Sequence, residues 1–172
     1  MAIGAKMMTK DRMMTKRFLV SVGGALAMVA GGAAVAAPAV NDGYDWAMRV
    51  NDEGPVHDEM LAYEVADTDD QPLNFHCEEG GNRVFAGISG GAPDLTAIEL
   101  ESGDQRVRLT GTTEAEELPT FSAQEMPVTS PLFKAFAANG WLRMTANGHA
   151  IDMAATPAGK KAIARFAEFC AG

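Results

Sequence analysis

Cysteine and histidine, the usual ligands of zinc, are scarce in this chain of 172 residues, which contains two cysteines and three histidines. Neither Cys77 nor Cys170 has a second cysteine or histidine at the spacing of a zinc ligand pair, from which structural zinc sites are built. His57 stands beside Asp58 and Glu59, but without the spacing of a ligand set. The sequence therefore predicts no metal centre and no cofactor.

Charged residues are absent from Phe18 to Ala37, where small and aliphatic residues dominate. Lys16 and Arg17 precede this stretch, and Ala34-Val35-Ala36 near its end is a small-x-small cleavage site. A basic segment, an apolar segment and such a site are the three parts of a secretory signal peptide. We predict a signal peptide over residues 1–36.

The same stretch could instead stay as a membrane anchor, since about 20 residues are enough to span a bilayer. Its Gly and Ala content makes it weakly hydrophobic for a permanent span, so the cleaved signal is favoured, with Met14 as an alternative start. We expect one small periplasmic or secreted domain over residues 37–172, with no stable membrane span after cleavage.

Basic residues are few in that predicted domain. The whole chain has 14 Lys and Arg and 23 Asp and Glu, of which residues 1–36 hold five and one. The remaining 9 basic and 22 acidic residues give residues 37–172 a formal net charge of −13. Such a charge repels phosphate backbones and anionic lipids. Nucleic acid is excluded as a partner, and an unknown protein or small-molecule ligand is expected.

The two cysteines, Cys77 and Cys170, both lie in the predicted exported domain. Two thiols in an oxidising compartment usually pair. We predict a disulfide, which for a loop of this length contributes about 4 kcal/mol in the chain-entropy treatment.

Three hairpins can be read from their turns and flanking alternation. A two-residue loop at Gly80-Gly81 pairs His76 with Phe85 and directs Cys77 inward. A turn at Gly103-Asp104 places Glu101 opposite Arg106 and Glu99 opposite Arg108. A turn at Asn147-Gly148 pairs Arg143 with Asp152.

Further strands are predicted at Trp46–Val50, Met60–Ala66 and, more weakly, Thr120–Met126. A short helix begins after Ser130-Pro131 and ends at Asn139-Gly140, and a terminal helix begins after Thr156. The fold class is therefore mainly β (α+β), an antiparallel sheet or sandwich of hairpins with the short helix and the C-terminal helix packed on it. The order of elements over Pro131–Cys170 resembles the layout of invasion-associated locus B proteins, whose cysteine pattern this chain lacks, and the resemblance implies no function.

One short motif points to catalysis. Gly87-Ile88-Ser89-Gly90-Gly91 matches the G-x-S-x-G of a nucleophile elbow, and the chain order allows Ser89 to act with His149. An elbow needs a helix after the serine, whereas the segment that follows reads as a strand. A Gly-rich turn between hairpins is the favoured interpretation, and a small secreted serine hydrolase is the alternative.

A second candidate site lies on the outer face of the first hairpin, where His76, Glu78, Arg83 and Phe85 project together. This group could bind a small ligand, and a solvated sheet face is the simpler interpretation. A third alternative is a calcium-binding module built on the acidic run of Asp67, Asp69 and Asp70, although the EF-hand order of ligands is missing. The favoured function is a non-enzymatic exported envelope protein that binds a protein or small ligand.

Overall fold

The computed structural model describes residues 36–51, 58–68, 70–114 and 117–172, all within the compact unit Ala33–Gly172. The predicted signal peptide, apart from Ala36, lies outside the described residues, as do His57 and Asp69. The elements in chain order are β1 (Tyr44–Asn51), β2 (Asp58–Val65), β3 (Leu73–Glu78), β4 (Arg83–Ser89), β5 (Ala97–Ser102), β6 (Gln105–Glu114), β7 (Thr120–Ala123), β8 (Met126–Pro127), α1 (Pro131–Asn139), β9 (Trp141–Ala146), β10 (His149–Ala154) and α2 (Pro157–Ala171).

The strands form one antiparallel, nearly closed sheet in the order β1-β2-β3-β4-β7-β6-β5-β9-β10, and β8 pairs with β4. The predicted mainly β, antiparallel class with a C-terminal helix is confirmed, and the arrangement is a single curved sheet. Nine strands follow one another along this path, and each runs against its neighbour. The two edge strands, β1 and β10, therefore run in the same direction.

All three predicted hairpins occur with the predicted register. His76 pairs with Phe85 in the first hairpin, and Arg143 pairs with Asp152 in the third. In the second, both Glu–Arg pairs stand directly opposite one another. Cys77 faces inward as predicted and is buried, as are the other inward side chains of the first hairpin: Leu73, Phe75, Val84, Ala86 and Ile88.

The tip of the first hairpin differs from the predicted two-residue loop. The strands end at Glu78 and resume at Arg83, so four residues form the turn. The reason is that the backbone N–H groups of Gly80 and Asn82 donate to helix α2, to Phe169 O at 2.9 Å and Cys170 O at 2.8 Å. These bonds satisfy carbonyls that a helix end leaves unpaired. The four-residue turn thus caps the C-terminal end of α2.

The weak strand predicted at Thr120–Met126 is two short strands, β7 and β8, which both pair with β4. Their registers on β4 differ by one residue, as Ser122 faces Gly87 and Met126 faces Val84. An extra residue of this kind is a β-bulge. At the break, Gln124 N–H donates to Thr110 O of β6 at 2.7 Å.

The concave side of the sheet is filled by aromatic rings from strands and helices. The Trp46 ring lies 4.8 Å from that of Phe136 on α1, and the Phe133 ring lies 5.6 Å from Phe75 and 6.1 Å from Phe166 on α2. All five side chains are at most 2 % exposed. Among the described residues, the concave side of the sheet is therefore a packed hydrophobic core.

Helix α2 and nearby side chains close the gap between β1 and β10. The Trp46 indole N–H donates to Met153 O at 3.2 Å. The Asp45 carboxylate accepts from the backbone N–H groups of Thr156 (3.0 Å) and Gly159 (3.1 Å) and from the Thr156 hydroxyl. A carboxylate at a helix N-terminus satisfies unpaired donors and interacts favourably with the helix dipole. Asp45 thus ties one edge strand to the start of α2.

The other end of α2 is held by the predicted disulfide between Cys77 and Cys170, whose Cα atoms lie 5.8 Å apart. Both cysteines are at most 3 % exposed. The bridge joins β3 to the last turn of the helix, next to the two backbone bonds from the first hairpin. The helix is therefore fixed at both ends.

We expect the double variant Cys77→Ser, Cys170→Ser to lose about 2–5 kcal/mol of unfolding free energy, because the bridge closes a separation of 93 residues. Urea unfolding of the wild type with and without reductant, and of the variant, measures the effect. Reductant should lower the stability of the wild type and leave the variant unchanged. Equal stability of oxidised and reduced wild type would contradict the prediction.

We expect Gly159→Ala to destabilise the protein, since a Cβ at this buried position would collide with the Asp45 carboxylate. Asp45→Ala should cost about 1.5–3 kcal/mol, the range for hydrogen bonds to a charged group. The cost of the two changes together should be less than the sum, because both break the same contact. Thermal and urea unfolding of the three variants test this, with Ala158→Gly at an exposed neighbour as control.

Candidate functional site

Ser89 and His149 are not brought together. Ser89 ends β4 and His149 begins β10, and β7, β6, β5 and β9 lie between these strands in the sheet. Both residues are exposed, and the element after Ser89 is strand β5. A general base must reach its nucleophile within hydrogen-bond distance. No observation therefore favours the hydrolase alternative.

The four residues predicted to share an outer face do so. His76 stands opposite Phe85, and both side chains are exposed. Arg83 at the end of the same face lies 3.6 Å from a Glu78 oxygen and 3.5 Å from a Glu125 oxygen. The charged pair is thus internally matched, which leaves His76 and Phe85 as the members of this group open to a ligand.

A groove of about 320 Å³ runs along this outer face over β3, β4 and β7. Its side chains come from the outward positions of the three strands: Asn74, His76, Phe85, Ser89, Thr120 and Ser122. Gly87 forms the floor between its partners Asn74 on β3 and Ser122 on β7, and the Asn74 carboxamide lies in the space that a side chain at Gly87 would take. The volume is at the lower end of the range typical of small-molecule sites.

Asn74 is the most unusual group in the groove. The residue is 6 % exposed, and its carboxamide lies against Gly87, where a Cβ would collide with it. In the part of the chain that the structure describes, this carboxamide makes no hydrogen bond to a protein group, and its polar atoms are open to the groove. It offers two donors and one acceptor to whatever occupies the groove. A polar ligand in the groove would satisfy it.

Asn74 and Ser122 are not among the residues predicted from the sequence, and Gly87 is predicted only as part of the Gly-rich motif. The predicted register of the first hairpin, counted outward, already pairs Asn74 with Gly87. Both residue types are depleted in strands, so their meeting in the middle of a hairpin was a usable signal. Ser122 could not be found in this way, because the pairing of β7 with β4 is not carried by a local turn.

The pKa of the His76 imidazole lies below its ordinary value, because the neighbouring strands partly desolvate the ring although its side chain reaches the surface, while the nearby Asp58 carboxylate offsets part of this effect. Burial disfavours the charged form of a histidine. At neutral pH the ring is thus uncharged, with one nitrogen as donor and the other as acceptor.

Of the acidic run considered for calcium, Asp69 lies outside the described residues, and Asp70 accepts a hydrogen bond from the Tyr44 hydroxyl. In residues 36–51, 58–68, 70–114 and 117–172, no three His, Cys, Asp or Glu side chains are grouped as metal ligands would be. No observation favours the calcium alternative.

The outer face of the other half of the sheet carries a charged row across four strands. Arg106 on β6, Glu101 on β5, Arg143 on β9 and Asp152 on β10 stand side by side with alternating charge. Arg143 Nε lies 2.6 Å from Asp152 Oδ1, and this bond holds the pKa of the Asp152 carboxyl below its usual value. Each charge has a partner, so the row is best explained as sheet stabilisation.

Comparison with protein families, with curated proteins and with solved structures finds no match to this chain. Neither α1 nor α2, the helices of the described part of the chain, has the length and apolar character required to cross a membrane. Function must therefore be argued from the site.

A histidine pKa below about 6.5 is expected for His76 in an NMR pH titration. Asp58→Asn should lower it further, because the Asp58 carboxylate favours the charged ring. Since the folded-state pKa lies below that of the unfolded chain, the unfolded state binds the proton more readily. The stability that depends on an uncharged His76 is fully present above about pH 6.5. It is lost as the pH falls toward the folded-state pKa of His76.

The control is the unfolding free energy of His76→Gln and of the wild type, measured by urea unfolding across the same pH range. This variant should lose less stability than the wild type between pH 7 and pH 5. Equal losses, or a His76 pKa above 6.5, would contradict the shielding that we assign to the neighbouring strands.

Proposed function

We propose that this chain is an exported, non-enzymatic binding protein and that its ligand site is the groove over β3, β4 and β7. The sequence features of a signal peptide, the disulfide and the absence of a membrane-spanning helix among the described residues are compatible with export. Periplasmic or secreted localisation is part of the proposal.

The observation that carries the proposal is the Asn74 carboxamide, which is nearly buried, faces the groove and has no protein partner among the described residues. Buried polar side chains are hydrogen-bonded in the large majority of cases, so an exception requires an explanation. A contribution to stability does not explain it, because the amide makes no hydrogen bond to a protein group in the described residues and is open to the groove. A role in binding does explain it.

Two neighbours support a binding role. His76 supplies an uncharged donor and acceptor beside Asn74, and Phe85 supplies an exposed aromatic face. Exposed aromatic side chains next to a few polar groups are typical of recognition sites. The groove thus combines one apolar surface with several groups that fix orientation.

Asn74→Ala should leave the unfolding free energy nearly unchanged, because the change removes no hydrogen bond to a protein group among the described residues. Asn139→Ala is the matched control, since its carboxamide donates to Ser102 Oγ at 3.1 Å and its loss should cost about 1 kcal/mol. Urea unfolding measures both. A loss in Asn74→Ala as large as in Asn139→Ala would indicate a structural role and count against the proposal.

The binding half of the test is an NMR titration of the oxidised protein with a defined panel: neutral disaccharides, Gly-Gly-Gly, free amino acids and inorganic phosphate. At least one class should shift the backbone signals of Asn74, Gly87 and Ser122 in the wild type and shift them less in Asn74→Ala. A panel that moves signals only elsewhere, or none, would contradict the assignment of the site to this groove.

A further inference from the structure

The groove is an uncharged region of a strongly acidic domain. Among its outward side chains only His76 can carry a charge, and at neutral pH it is uncharged. Of the charged groups beside the groove, Glu78 and Arg83 are matched with each other and with Glu125, and the Asp58 carboxylate lies near His76 on β2, outside the lining. An ionic ligand would therefore find no counter-charge in the groove, and burying an unpaired charge is costly. The lining selects for a neutral ligand.

The hydrogen-bonding groups of the groove are of both kinds and are widely spaced. Asn74 and Ser122 flank Gly87 on its two sides, so their strands are separated by about 10 Å. Ser89 and Thr120 form a second pair further along β4. A hydroxyl can donate and accept, as can an amide. A ligand that carries many hydroxyl groups around a compact ring could engage several of these groups at once.

Phe85 adds the apolar component. Its side chain is 38 % exposed and stands beside His76 at one end of the groove. The ring of a neutral sugar has hydroxyl groups on its edge and C–H groups on its face, and the C–H face can pack on an aromatic ring. Aromatic side chains supply large contact area at low conformational cost.

An extended peptide fits the groove less well. Peptides that bind to sheets usually add a strand to a free edge. The three strands under the groove have paired neighbours instead: β3 lies between β2 and β4, β4 lies between β3 and β7, and β7 lies between β4 and β6. Their backbone groups are engaged along the groove, so a ligand must be recognised through side chains.

From these observations we propose that the groove binds a neutral saccharide, with Phe85 packing on a sugar ring and Asn74 bonding its hydroxyl groups. This inference rests on the proposed function and names its ligand class. The volume of about 320 Å³ suits one or two sugar rings, either as a free disaccharide or as part of a longer chain.

Cellobiose and N,N′-diacetylchitobiose are suitable probes, because both are neutral disaccharides. In an NMR titration, at least one of them should shift the Asn74, Gly87 and Ser122 signals, and glucuronic acid, which is anionic, should bind at least tenfold more weakly. Phe85→Ala should weaken disaccharide binding at least fivefold. Ile151→Ala is the matched control: Ile151 is equally exposed, at 37 %, but lies on β10, and its loss should leave the affinity unchanged.

The outcomes separate the two proposals. Groove shifts with a disaccharide that are weakened in Phe85→Ala and retained in Ile151→Ala support the saccharide assignment. Groove shifts with Gly-Gly-Gly or phosphate but with neither disaccharide overturn it and leave the binding function standing. Equal weakening in Phe85→Ala and Ile151→Ala also overturns it, since the loss would then be non-specific. Shifts in the groove with no member of the panel overturn both proposals.

Discussion

The gap between β1 and β10 is the constraint on which the rest of this fold depends. The nine-strand path leaves two edges that run in the same direction, and no backbone ladder joins them within the described residues. The edges are joined instead by the Trp46 indole and by helix α2, which Asp45 fixes at its start and Cys77 fixes at its end. The helix therefore joins the two edges in the place where hydrogen bonds between β1 and β10 would join them in a closed barrel.

The side chains that fill the concave side leave the outer face of the sheet for ligand binding. Aromatic rings and both helices occupy the interior, so the inward positions of β3 and β4 serve stability. The outward side chains of the same strands do not pack in this core. Asn74 and Phe75 are neighbours in sequence, yet one is an unpaired amide in the groove and the other is a fully buried ring. Because successive side chains on a strand point to opposite faces, core packing and ligand contact fall on adjacent residues.

Local signals predicted much of this fold. Turn chemistry and alternation determined the registers of three hairpins, and caps determined the starts of both helices, because these features involve residues close in sequence. The pairings β4 with β7 and β5 with β9 depend on distant segments and have no such signal. The opened turn at Gly80 has the same origin, since its partner is the far end of α2. At the site, His76 and Phe85 followed from one register, whereas Ser122 required the tertiary pairing.

The disulfide divides the chain into parts with different mechanical exposure. Residues 77–170 form a covalent ring that contains β4 to β10 and nearly all of α2, whereas β1, β2 and most of β3 lie outside it. A force that pulls on the two chain ends, as in threading through a narrow pore, can extend only the residues outside the ring while the bridge is intact. The oxidised protein therefore resists complete linearisation, and the strands that would be stripped first include β3, one wall of the groove.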